Sequence, residues 1–183
     1  VLSSLDAALR ESGIRTALPD KETDAITMMT LNKGQKTGDE YMKYANEFIG
    51  KFPTSAFGYK EKAFLLANKQ QYAEADQLMQ ESIKKSTAKD EAHSNYADII
   101  YQKVIYQGDS IYPAWNVDKA IAESQAAYAI KAEPLYKHQE AQSFYRKKDY
   151  QKAYDLFMGA TKTPMNSVEV WFEAAPSKVQ LKA

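Results

Sequence analysis

Residues 59–84 read YKEKAFLLANKQQYAEADQLMQESIK, and residues 137–162 read KHQEAQSFYRKKDYQKAYDLFMGATK. Laid over one another at an offset of 78, they are identical at Ala63/Ala141, Lys69/Lys147, Tyr72/Tyr150, Ala75/Ala153, Leu78/Leu156 and Lys84/Lys162. Outward from these two stretches, Ala63, Ala97, Ala141 and Ala175 stand 34, 44 and 34 residues apart. Each of the first three is followed by a second small residue and then, seven further on, by a third: Ala75 and Ser82, Ala120 and Ala127, Ala153 and Ala160. Seven residues make two helical turns, so each such pair shares a helix face. The first-to-second spacing is 12 in the outer units and 23 in the middle one, which therefore carries an insertion of 11. A period of this size marks an array of stacked helix pairs.

A small residue on each helix of a hairpin lets the axes approach toward the lower end of the roughly 8–10 Å packing range. Large residues then fill the flanks. Leu66, Ile100 and Phe144 come three after the first-helix alanines, and Met79 and Phe157 four after the second-helix ones. Ser124, at the matching place in the middle unit, departs from the pattern. Helices are expected near 54–69 and 71–86, 91–107 and 117–132, and 135–147 and 149–162, with a last one beginning near Ser167 that Pro176 would stop.

With these motifs in place, the chain resembles the tetratricopeptide repeat family, in a divergent, bacterial-type form. Gln70-Gln71-Tyr72-Ala73-Glu74-Ala75 and Lys148-Asp149-Tyr150-Gln151-Lys152-Ala153 are similar to the family's turn and second-helix opening, and Thr163-Pro164-Met165-Asn166 to its link between units. Tyr59 and Trp171 stand where the family places its first aromatic, while His93 and Lys137 hold that place in the middle units, and the Leu-Gly pair is missing. The resemblance implies an all-α fold, a right-handed α-solenoid of stacked antiparallel helix pairs, and a non-catalytic scaffold that holds a peptide or protein segment in its concave groove.

The resemblance covers residues 54–175, divided into units 54–89, 90–133 and 134–166 plus the first helix of a fourth. Residues 1–53 are expected as helices forming a degenerate repeat or cap, and 176–183 as a tail or the start of a continuing repeat. In the N-terminal part, Leu2, Leu5, Ala8 and Leu9 make an apolar stripe ending near Gly13. Asp20 is expected to cap a helix running through Met28, Met29 and Leu31 to Gly34. Thr37-Gly38-Asp39-Glu40 has the capping-box form and opens a helix through Tyr41, Tyr44, Ala45, Phe48 and Ile49 that Pro53 ends.

Composition excludes several functions. Lys plus Arg equals Asp plus Glu at 24 each, leaving no basic excess to gather nucleic acid. No run of about 18 apolar residues exists to insert in a membrane. There are no cysteines, which removes disulfides, thiolate metal sites and thiol catalysis but fits cytoplasm or periplasm alike, the latter if an export signal was removed. His93 and His138 lack paired metal spacing, no glycine pair has phosphate-loop form, and Ser3-Ser4 and Ser94 lack a nucleophile elbow. No enzyme, cofactor or metal site is expected.

Steps of 34, 44 and 34 align Lys60, Ser94, His138 and Phe172 on one row of the first helices, Phe64, Asp98 and Gln142 on a second, and Ala67, Tyr101 and Tyr145 on a third. Phe57 and Arg146 flank them. Rings supply contact area at low entropy cost and polar groups fix register, which suits a peptide or helix, the alternative being that several rings pack between helices. Lys60 and Asn95 match part of the basic clamp with which some family members hold a terminal carboxylate, but Phe64, Leu135 and Gln139 break it. The insertion, residues 106–116, offers Tyr106, Tyr112 and Trp115 as a second contact surface for protein or, in a third reading, carbohydrate, or as a segment folded back on the solenoid edge. Self-association through Trp171, Phe172 and the end helices is the other reading of the scaffold.

Overall fold

The computed structural model describes residues 17–34, 36–108 and 112–161, with Pro176 and Gln180. Eight helices follow one another in these residues: α1 Glu22–Asn32, α2 Gly38–Lys51, α3 Ala56–Asn68, α4 Tyr72–Lys85, α5 Lys89–Gln107, α6 Val117–Ile130, α7 Pro134–Arg146 and α8 Tyr150–Thr161. The closest pairings are α3 with α4, α5 with α6 and α7 with α8; α6 on α7 and α2 on α3 continue the stack. Apart from one isolated bridge between Tyr112 and Trp115, no extended pairing occurs among the described residues. The fold is all-α. The N-terminal stripe, the helix after Ser167 and the link at Thr163–Asn166 lie outside the described residues. Pro176 itself has helical backbone, while the helix it was expected to end lies outside the described residues.

Local chemistry sets the helix ends. Thr37 Oγ1 accepts the Glu40 N–H at 3.3 Å and Glu40 Oε2 accepts the Thr37 N–H at 3.0 Å, the reciprocal bonds of a capping box. The α3–α4 and α7–α8 turns are copies of one device: Gln70 and Lys148 take left-handed conformations, φ 63° and 67°. Gln71 N–H then reaches Leu66 O at 2.9 Å, and Asp149 N–H reaches Phe144 O at 3.0 Å. These bonds satisfy carbonyls that a helix end leaves open. Asp20, in contrast, is not a cap: Lys21 precedes α1 without a side-chain bond, and Asp20 instead pairs with Lys51 Nζ at 3.2 Å. Its distance in sequence from the first turn decides this, since the helix begins one residue later than a cap at Asp20 requires.

The small residues do what their spacing requires. Ala63, Ala75, Ala97, Ala120, Ala127, Ala141 and Ala153 are all buried, and Leu66, Met79, Ile100, Phe144 and Phe157 fill the flanks in one continuous core. A second cluster, Leu18, Ala25, Met28, Met29, Tyr41, Ala45 and Phe48, joins α1 and α2 to α3. Each large side chain so buried contributes about 1.5–3 kcal/mol.

The insertion folds inward. Trp115 is fully buried, and its Nε1–H donates to Asp76 Oδ1 at 2.7 Å, so of the outcomes open in the sequence it takes the folded-back one, as a core residue and not an exposed contact. The same carboxylate accepts the Tyr96 hydroxyl and, on Oδ2, Gln80 Nε2 at 2.8 Å. Tyr112 is half-buried and stacks on Tyr72 with centroids 6.5 Å apart, which withdraws it too from free contact. The Tyr106 side chain lies outside the described set. A ring of this size leaves water gladly once its one polar atom has a partner.

Candidate functional site

The first helices of the second and third units, α5 and α7, stand side by side with α6 behind them. Between them lies a small concavity of about 10 Å³, lined by Ala97, Asp98 and Tyr101 from α5, Ser124 from α6, and Gln139, Gln142 and Ser143 from α7. Three residues predicted from the repeat rows, Asp98, Tyr101 and Gln142, therefore share one site. Most of the lining residues are of polar type, but the surface they turn to the concavity is mainly apolar.

Ser124 forms the floor of the concavity. In the other units this place, four residues after the second-helix alanine, holds Met79 and Phe157, both buried. The serine is fully buried as well and turns its hydroxyl back to Ala120 O at 3.0 Å. On the α7 side, Ser94 Oγ donates to Gln139 Oε1 at 2.8 Å and Ser143 Oγ to Gln139 O at 3.1 Å, which fixes the amide at the rim. Ser124, Gln139 and Ser143 were not predicted as site residues. The departure of Ser124 from the large-residue pattern was the available signal, and Gln139 sits one turn before Gln142 on the same face.

Asp98 is half-buried, and desolvation holds its carboxyl above the usual aspartate range; a hydrogen bond from Gln102 Nε2 at 2.8 Å opposes that only in part. Burial likewise lowers the pKa of Lys103, whose Nζ bonds Asn68 Oδ1 at 2.6 Å. Arg146 directs a guanidinium nitrogen to Val104 O at 3.5 Å.

The remaining predicted residues are distributed differently. Phe57 is half-buried and packs on Phe48 with centroids 5.2 Å apart, against the core that joins α1 and α2 to α3. Lys60 Nζ lies 3.3 Å from Glu61 and 5.1 Å over the Phe57 ring, so its charge is already engaged and cannot complete a carboxylate clamp. Phe64 is half-buried beside Lys33, at the α1 end, away from the Asp98 cavity. Tyr145 meets Tyr150 edge-on at 5.4 Å, and His138 meets Phe157 at 5.6 Å. Asn95 is half-buried on α5, and Phe172 lies outside the described residues.

Among the described residues no three His, Asp or Glu side chains gather as a metal site, and no helix is long and apolar enough to cross a membrane. His93 Nδ1 sits 2.6 Å from Glu123 Oε2, a carboxylate also bound by Lys119 at 2.6 Å.

No protein-family model and no curated protein matches the sequence. Solved structures do. The crystal structure of YrrB, described as a TPR protein with an unusual peptide-binding site, aligns over 97% of this chain and 83% of its own, with a TM-score of 0.58 and 11% identity. At that identity the likeness concerns the fold. Repeated small-residue positions, stacked helix pairs and this structural match together make the chain a tetratricopeptide-like helical-repeat solenoid.

Proposed function

We propose that the chain is a non-catalytic protein-interaction scaffold that binds a peptide segment in the concavity between α5 and α7. The observation that carries this reading is the small concavity between first helices, where Asp98, Tyr101, Gln139 and Gln142 meet. Its free volume, about 10 Å³, is room for about one water molecule, which makes it a notch for one polar group of a longer ligand and not an enclosing small-molecule pocket. Gln139, Gln142 and Ser143 offer hydrogen-bonding groups to fix register, while Tyr101 supplies contact area. The structural relative YrrB is described as having a peptide-binding site, which agrees with this use of the fold.

The test uses random peptides displayed on phage and selected on the immobilised full chain, followed by fluorescence anisotropy of synthetic copies. Gln142→Ala should weaken the recovered peptides about ten-fold, and Ser124→Leu, which fills the cavity, should remove binding altogether. Unchanged affinity in both variants, with native circular dichroism, would place any binding elsewhere and sink the reading.

A further inference from the structure

We infer that the cavity selects a basic side chain, lysine or arginine, of the bound peptide, with Asp98 as its counter-charge. This rests on the peptide-binding reading and adds the chemistry of the ligand.

The case comes from comparing Asp98 with the other sequestered carboxylates. Glu61 is paired with Lys33 at 2.9 Å and Lys60 at 3.3 Å, and accepts the Tyr41 hydroxyl at 3.1 Å. Glu123 has His93 and Lys119, each at 2.6 Å. Glu140 has Lys137 and Gln125, each at 2.6 Å. Asp76 takes three donors, and Asp90 takes the Tyr136 hydroxyl at 2.9 Å together with the backbone N–H groups of Glu91 and of Asp90 itself. The molecule thus neutralises or multiply hydrogen-bonds its withdrawn acids. Asp98 breaks that rule: among the described residues it forms no ion pair, and its one hydrogen-bond donor is the neutral amide of Gln102. A carboxylate in this condition is costly, and desolvation raises its pKa accordingly.

The surroundings complete a cation site. Asp98 lies in the wall of an open concavity with room for about one water-sized group, so the charged head of an incoming basic side chain can approach it from the mouth. Gln139 and Gln142 line the same space from α7, the Gln139 amide held in place by Ser94 Oγ. Lys103, five residues on, bonds Asn68, and Arg146 on α7 directs a guanidinium nitrogen toward Val104 O. An incoming cation would restore the pairing that the other acids already have, and charge-assisted bonds are the stronger kind.

The phage selection above is repeated on Asp98→Asn, an isosteric change that deletes only the charge. Recovered peptides are then synthesised with acetylated amino termini, in versions where each Lys or Arg is replaced by Gln. The expected result is enrichment of one basic position on the wild-type chain, loss of that enrichment on Asp98→Asn, and an affinity drop of about ten-fold that appears for the basic-to-Gln peptide or the variant but does not double when both are combined. Asp98→Asn should also melt at the same or a higher temperature, since a poorly solvated charge has been removed, which shows that lost affinity is not lost folding. Cavity-dependent peptides without a basic preference, or a preference that Asp98→Asn leaves intact, would overturn the inference while leaving peptide binding standing. Recovery of no cavity-dependent peptide overturns both.

Discussion

Trp115 shows how one side chain can reverse its apparent role. In the sequence it stands in a connection with Gly108, Asp109, Ser110 and Pro113, the composition of an exposed loop. Its fate is decided by Asp76, 39 residues earlier, whose buried Oδ1 accepts the indole N–H, and no local pattern carries that information. Trp115→Phe keeps most of the ring and deletes the donor; urea unfolding should report a loss of about 1–3 kcal/mol. Trp115→Ala adds a cavity, and about 3–5 kcal/mol is expected. No loss in Trp115→Phe would mean that the hydrogen bond contributes nothing beyond ring volume. The opposite case is Ser124. Its misfit in the repeat was visible in the sequence, but whether neighbours collapse onto a small residue or leave a cavity is a packing outcome that spacing does not decide.

At the scale of elements, the sequence was most informative where a local rule closes on itself. The capping box at Thr37 and Glu40 needs only four consecutive residues, and the α3–α4 and α7–α8 turns repeat one backbone solution in two copies. Asp20 was misread because a cap depends on where the first helical turn begins, and the ties of Leu18 N–H to Glu47 at 2.8 Å and of Lys51 to Leu18 O at 2.6 Å hold that segment against α2 instead. Approach distances between helices are less legible still. Gly58 on α3 faces α2 so closely that a methyl group there would lie 2.7 Å from Phe48 Cδ1 and 2.9 Å from Ile49 Cγ1. Helix propensity alone favours Gly→Ala by about 1 kcal/mol. Packing should win: Gly58→Ala is expected to lower stability by about 1–2 kcal/mol net in thermal or urea unfolding, and a gain would show that α2 can retreat freely.

Across the whole molecule, three tyrosine–carboxylate bonds link helices: Tyr41 on α2 to Glu61 on α3, Tyr96 on α5 to Asp76 on α4, and Tyr136 on α7 to Asp90 on α5. Burial is the main cause that raises all three phenols, Tyr136 to about 12, with the neighbouring carboxylates adding to it. A phenol with a raised folded-state pKa contributes stability that is complete below its unfolded value near 10 and lost as pH rises through the folded value. Stability should therefore fall above pH of about 10, by up to about 1.4 kcal/mol per pH unit for each tyrosine held protonated. Melting temperatures across an alkaline series would show it, and Tyr136→Phe should soften the fall; an unchanged slope would remove Tyr136 from the account. The Asp76 centre has a mechanical corollary. Its donors arrive from α4 itself, from α5 and from the insertion before α6, so the α3–α4 and α5–α6 pairs share a polar knot that neither can satisfy alone. In an ordinary solenoid each unit can peel away at the expense of one interface. Pulled from its ends, this chain should instead release those two pairs in a single rupture, so the insertion that interrupts the repeat in sequence is what keeps these units from coming apart one by one.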